Sequence, residues 1–155
     1  MRFLFFVLLL WATPALADWQ YTKWGMTPDE VVAASGGTVH RVARQSGAQD
    51  TEVEVEGSYV AAGVEFEVKF LFVGDGSGLA VVELTSKAPM KCYDLKRPLD
   101  ERYGPALGAR ISNGAMYDWQ DAADGTSVSL ADGHAVSPPM CVLSYQRRAD
   151  RKSAL

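Results

Sequence analysis

The stretch "TEVEVEGSYVAAGVEFEVKFLFV", residues 51–73, is the most regularly patterned part of the chain. Apolar and charged residues alternate along both of its halves, and this period places successive side chains on opposite faces of a β-strand. A hairpin that turns at Ala62-Gly63 would put Glu56 directly across from Lys69. The stretch therefore predicts two antiparallel strands with one apolar face and one acidic face.

The two predicted faces have different uses. The apolar face would belong to the core and would carry Val53, Val55, Tyr59, Val64, Phe66, Val68, Phe70 and Phe72. The opposite face would carry Glu52, Glu54, Glu56, Glu65 and Glu67 together with Lys69. This acidic face is either an ordinary solvated surface or a docking surface for a basic protein, where charge selects the partner. The docking hypothesis names Glu54, Glu56, Glu65, Glu67 and Lys69 as binding residues.

A short helix is predicted ahead of this hairpin, because helix-starting signals are concentrated at residues 27–30. Thr27 suits the N-cap, Pro28 suits the first helical position, and Glu30 completes a capping box. The glycines at 36–37 can end the helix. So short a helix is not stable by itself, so these signals set its position and direction in the fold and do not indicate catalysis.

The second half of the chain repeats this layout. A helical stripe runs from Cys92 to Tyr103, and Pro98 predicts a kink or two short helical pieces. Three strands should follow, at 111–121, 126–133 and 140–148, and two more flank the hairpin at 38–44 and 79–87. The predicted fold class is α+β: an antiparallel sheet of about seven strands with short helices packed on one face. It would form one domain, 18–147, built as two helix-plus-strands halves, 27–86 and 90–147.

Both ends of the chain have a separate character. Residues 1–17 have the pattern of a signal peptide: Arg2, an apolar run and an Ala-Leu-Ala cleavage site. An uncleaved membrane anchor is the alternative, although the apolar run is short for a span. Residues 148–155 form a basic tail that we expect to be flexible. The pattern predicts a periplasmic or secreted protein with no integral membrane span after cleavage.

Two cysteines lie outside the predicted signal, Cys92 and Cys141. An oxidising compartment favours one disulfide between them, and two buried thiols are the alternative. The chain has a formal net charge of −4. This acidic balance argues against nucleic acid as the main partner.

No residue pattern in the chain indicates a reaction. His40 and His134 are the only histidines, and neither has metal-ligand spacing or a nucleophile motif beside it. We therefore predict no catalytic residue, no metal site and no cofactor. The aromatic residues Trp19, Tyr21 and Trp24 either pack the mature N-terminus onto the sheet or form a platform for a small ligand.

The segment "GMTPDEV", residues 25–31, resembles the Gly-Met-Thr helix start of two groups of small exported proteins. One is the β-lactamase-inhibitor protein family, and the other is the small lipoprotein of the outer-membrane β-barrel assembly machine. The resemblance implies helices on one face of an antiparallel sheet and the binding of other proteins without catalysis. The second half begins "KCYDLKRPLDERYG" and lacks the motif, and the chain lacks the lipid-attachment cysteine. No functional residue is carried over.

These observations predict an exported, non-catalytic module that binds or inhibits another protein through an open, acidic sheet face. Two alternatives belong to other classes. A periplasmic hydrolase would require a deep pocket where acidic groups converge. A small-ligand carrier would require an apolar cavity lined by Trp19, Tyr21 or Trp24.

Overall fold

The computed structural model describes residues 19–47, 50–74, 78–121, 123 and 125–147. The predicted signal peptide, 1–17, and basic tail, 148–155, lie outside these residues. The first half of the chain contains helix α1 (Pro28–Ala34) and strands β1 (Val39–Ser46), β2 (Thr51–Ala61), β3 (Val64–Val73) and β4 (Leu79–Ser86). The second half contains a 3-10 helix (Pro89–Leu95), helix α2 (Lys96–Tyr103) and strands β5 (Leu107–Ile111), β6 (Gly114–Asp121), β7 (Thr126–Gly133) and β8 (Met140–Arg147).

The eight strands form one antiparallel sheet with the order β1-β2-β3-β4-β8-β7-β6-β5. Each half of the chain contributes four strands that pair in chain order. The last strands of the two halves then pair with each other, so that Leu84 of β4 faces Leu143 of β8.

The predicted fold class was wrong. The fold is mostly an antiparallel sheet of eight strands, with two short helices and one 3-10 segment, and it is not a seven-stranded α+β fold packed with helices. The missing strand is β5, which pairs with β6 across a tight turn at 112–113. The alternating pattern predicts one strand over 111–121, although the Asn-Gly pair at 113–114 is a strong hairpin signal.

The hydrophobic core lies on one side of the sheet, which we call the inner face. Phe66 and Phe70 are fully buried there, and helix residues Val31 and Leu99 join the same cluster. The predicted disulfide is confirmed: Cys92 of the 3-10 helix bonds to Cys141 of β8, with Cα atoms 5.5 Å apart. We call the opposite side of the sheet the outer face.

The predicted start of α1 is confirmed. The Thr27 amide donates to Glu30 Oε2 at 2.8 Å, and the Glu30 amide donates to Thr27 Oγ1 at 3.4 Å. After the helix, Gly36 has a φ of +64°, a conformation that favours glycine. Pro98 lies in the first turn of α2, where its missing N–H breaks no helical bond, and two helical pieces are found as predicted.

The predicted hairpin register is confirmed from Ala61, which pairs with Val64, to Val55, which pairs with Phe70. Beyond Val55 the register shifts at a β-bulge, and Glu54 is the extra residue. An extra residue reverses the alternation of side chains along a strand. Val53 therefore pairs with Leu71 on the outer face, and Glu52 takes the register of Phe72 on the inner side. The prediction that all these glutamates share one face was wrong for Glu52 and Glu54.

Candidate functional site

Glu54 is a buried structural residue, which corrects its prediction as a binding residue. It is 4% exposed, and its Oε2 accepts a hydrogen bond of 3.0 Å from Arg41 Nη2. Arg44 Nη2 lies 3.3 Å from the other carboxylate oxygen, close enough for an ion pair but not aligned as a hydrogen bond. Arg41 also bonds to Asp29 of α1 at 3.2 Å. Glu54 thus joins β1, β2 and α1 and cannot reach a partner.

The other four predicted binding residues lie on the outer face. Glu56 of β2 and Glu83 of β4 flank Lys69 of β3 in the sheet register. Lys69 Nζ is also 3.3 Å from a carboxylate oxygen of Glu67. Glu65, one pair further along, forms an ion pair with Lys87. We call this group the acidic cluster. Its net charge is negative because its carboxylates outnumber its ammonium groups. The cluster consists of Glu56, Glu65, Glu67, Glu83, Lys69 and Lys87.

The middle of the outer face is built from small, mostly uncharged side chains. Strands β4, β8 and β7 carry them, and all of them are exposed or half-buried: Val81, Thr85, Val142, Ser144, Gln146, Ser127, Ser129 and Ala131. Short side chains lose little rotamer freedom when a partner covers them, and uncharged ones cost little to desolvate. We call this region the small-residue centre, and its burial by a partner costs little free energy.

Large apolar side chains are also exposed on the outer face. In the described strands, every exposed large hydrophobic residue lies on this side of the sheet: Val60, Val73, Leu107, Met116 and Met140, with exposed fractions from 40% to 76%. Met116 of β6 pairs with Ala131, which pairs in turn with Val142, so an apolar row crosses three strands. We had not predicted these residues as binding residues. Alternation with the core residues Tyr59 and Trp119 would have placed Val60 and Met116 on the outer face.

A cavity lies on the inner side of the sheet, beside α2. Its volume is about 230 Å³, and Trp19 lines it together with side chains of the sheet and of α2. Trp19 also packs edge-on against Tyr59 and Phe70, with ring centres 5.5 and 5.6 Å apart. Trp24 donates from Nε1 to Thr126 Oγ1 at 3.1 Å. The N-terminal aromatic residues thus pack onto the sheet, and Trp19 also lines this cavity.

The arrangement closest to a catalytic pair is formed by Asp132 and His134. Oδ1 of the buried Asp132 is 3.0 Å from His134 Nδ1, and the same oxygen accepts the backbone N–H of His134 at 3.2 Å. In the part of the chain that the structure describes, no hydroxyl or thiol hydrogen-bonds to this imidazole. The carboxylate therefore orders the turn after β7, which is a common structural role for Asp.

The described residues contain no group of three or more His, Cys, Asp or Glu side chains that could hold a metal ion. None of the described helices has the length and hydrophobicity needed to cross a bilayer. The sequence matches no model of a known protein family, no curated protein and no solved structure. The resemblance of residues 25–31 to the inhibitor protein family and to the small assembly lipoprotein thus remains a prediction.

Proposed function

We propose that this chain is an exported, non-catalytic module that binds a protein partner through the outer face of its sheet. The partner would present a basic surface to the acidic cluster and an apolar surface to the exposed hydrophobic residues. One observation carries the proposal: the exposed large hydrophobic residues of the described strands all share the face that holds the acidic cluster. Apolar residues scattered singly are normal on a protein surface, but a contiguous apolar patch rimmed by polar groups marks an interaction site, and the row of Met116, Ala131 and Val142 is contiguous.

The outer face has the size of a protein interface. Eight strands spaced by about 4.8 Å are about 34 Å across, and a strand of eight residues is about 26 Å long. This gives a face on the order of 800–900 Å². Each partner in a standard protein–protein complex buries about 800 Å². A partner covering the small-residue centre could therefore contact both the acidic cluster and Met116.

The acidic cluster determines which partner fits. Lys69 partly neutralises Glu56, Glu67 and Glu83, which surround it, and the net charge of the cluster remains negative. Such a field accelerates encounter with a basic surface and repels acidic proteins, while the apolar contacts supply most of the affinity. An association of this kind weakens as ionic strength rises.

Two further observations support the exported part of the proposal. A disulfide joins Cys92 to Cys141, and disulfides persist mainly in oxidising compartments. The pattern of residues 1–17 is that of a signal peptide. The periplasm or the extracellular space is the proposed location, and binding or inhibition of a protein there would agree with the resemblance in residues 25–31.

The test uses photo-crosslinking from defined positions on the two sides of the molecule. A photoreactive amino acid is placed at Ser129 or Val142 on the outer face, and at Arg97 on the exposed side of α2 as the control. Each variant is expressed in the native cell, and the exported fraction is irradiated. We expect one discrete adduct from the two outer positions, with the linked peptide in a Lys/Arg-rich surface of the partner.

Charge reversal provides the second arm. Glu56→Lys, Glu65→Lys and Glu67→Lys together should abolish the adduct while the far-UV circular dichroism stays unchanged. The matched control combines Asp94→Lys and Glu101→Lys, which change exposed acids on the helical side, and should retain the adduct. Equal crosslinking from Arg97, or an adduct that survives the triple reversal in a folded protein, would rule out the outer face as the interface.

A further inference from the structure

The inner cavity has the shape and lining of a small-molecule site. It lies between α2, the segment Trp19-Gln20 and the inner face of the sheet. Its volume of about 230 Å³ is somewhat below the 300–1,000 Å³ or so of drug-sized pockets. The occupant is therefore a compact molecule, with a body no larger than one aromatic ring or a short alkyl chain.

Most of the cavity wall is apolar. Buried side chains of β3, β4, β8 and the helical segments form this apolar part: Phe66, Leu84, Leu143, Leu95 and Leu99. Trp19, which is 6% exposed, adds an aromatic wall. Hydrocarbon surface in a ligand would be stabilised here because these walls remove it from water.

Polar groups are confined to a few side chains of the lining. Tyr59, Tyr103 and Tyr145 contribute phenol groups, and Gln20 Nε2 donates to Tyr59 Oη at 2.8 Å. Burial raises the pKa of Tyr145, and interactions with Tyr103 raise it further. The Tyr145 phenol therefore stays protonated throughout the physiological range, and its one O–H already takes part in the hydrogen bond with Tyr103.

Arg102 is the one charged side chain in the lining of this cavity. Its guanidinium lies 5.1 Å from the centre of the Tyr103 ring. Within the described residues, no carboxylate lies at ion-pair distance from Arg102, and the lining contains neither Asp nor Glu. The cavity thus combines apolar walls and several phenols with one positive charge, that of the solvent-exposed Arg102. An arginine fork matches the two oxygens of a carboxylate.

We propose that this cavity binds a small monocarboxylate with an apolar body, whose carboxylate meets Arg102 while its hydrocarbon part contacts the walls around Leu99. The site is on the inner side of the sheet, away from the proposed protein-binding face. It therefore does not depend on the proposed function and can be tested separately.

The experiment titrates the purified, disulfide-bonded protein with phenylacetate and hexanoate, and binding is followed by calorimetry and by ¹H–¹⁵N chemical shifts. Phenylacetamide, the uncharged analogue of phenylacetate, is the ligand control. We expect shifts centred on the cavity-lining residues, and weaker binding of the amide by about tenfold or more. Shifts located elsewhere, or no binding of either acid at millimolar concentration, would overturn the proposal.

Three variants separate charge from volume. Arg102→Gln should weaken phenylacetate binding by about tenfold or more, whereas Arg97→Gln, an exposed position on the same helix outside the cavity, should leave it unchanged. Ala61→Phe, which fills the cavity from β2, should abolish binding of the acid and the amide alike. Unchanged phenylacetate binding in Arg102→Gln would overturn the proposal, as would full binding in a folded Ala61→Phe variant.

Discussion

Removing Arg41 and Arg44 together should leave the Glu54 carboxylate buried without a cation. The Glu54 side chain is 5% exposed, whereas the two arginine side chains are 45% and 55% exposed. The three side chains are therefore not equivalent, because the arginines can return to water and the carboxylate cannot. We therefore expect removal of both arginines to lower the unfolding free energy by more than two exposed ion pairs would contribute.

The magnitude follows from this asymmetry. Breaking a buried ion pair by removing one partner costs about 3–5 kcal/mol, while an exposed pair contributes about 0–1 kcal/mol. Arg41→Met alone leaves Arg44 at 3.3 Å from Glu54, so about 1 kcal/mol should be lost. The double variant, Arg41→Met with Arg44→Met, should lose about 3 kcal/mol of unfolding free energy.

Replacing the unpaired Glu54 carboxylate by an apolar side chain should restore part of the lost stability. Adding Glu54→Met to the double variant places an apolar side chain of similar volume in the bulge, and we expect about 2 kcal/mol to return. The ordering of the three proteins is therefore specific: wild type, then the triple variant, then the double variant.

Urea denaturation followed by circular dichroism measures these free energies, provided that the m value stays constant across the series. Arg97→Met removes an exposed arginine from α2 and is the matched control, expected within about 0.5 kcal/mol of wild type. A double variant that unfolds at the wild-type urea midpoint would refute the reasoning. So would a triple variant that is no more stable than the double variant.

Three other measurements test the fold. Replacing Cys92 and Cys141 by alanine opens a loop with a sequence separation of 49, and should cost about 4 kcal/mol and lower Tm by on the order of 10 °C or more. The hydrogen bond from Lys96 keeps the pKa of Asp100 below its usual value. The stabilisation by ionised Asp100 is therefore present above about pH 4 and is lost as the pH falls further. The difference in unfolding free energy between wild type and Asp100→Asn should accordingly shrink on acidification. Gly78→Ala should cost about 2 kcal/mol in urea titrations, because its Cβ would meet the backbone ahead of α1 at 2.7 Å.

Part of the candidate surface followed from alternation alone. Glu56, Glu65, Glu67 and Lys69 lie on the outer face as predicted, because their strands pair through a turn whose position is local information. The apolar members of that face were also within reach of the same reasoning. Trp119 is 3% exposed in the core, and Met116, three positions earlier in the same strand, must therefore point to the opposite, outer face.

The burial of Glu54 could not be predicted from the local sequence. Its neighbours alternate without interruption in the sequence, so nothing local marks the residue that the bulge takes out of register. Its carboxylate is held by Arg41 and Arg44 of the preceding strand, and Arg41 also bonds to Asp29 of α1. A one-residue shift reverses the face of every side chain beyond it, and only the paired strands determine whether such a shift occurs.

The sequence by itself determined the elements whose causes are short-range: the capped start of α1, the register of the hairpin near its turn, and the two cysteines available for a disulfide. The tertiary structure decided which distant segments share a surface. The pairing of β4 with β8 unites the halves, so that the small-residue centre joins the acidic cluster on one side. The approach of Trp19 and α2 to the other side encloses a cavity lined by Arg102. The physical reason is that alternation determines which side chains of one strand share a face. Which faces of different strands and helices come into contact depends on how the whole elements pack.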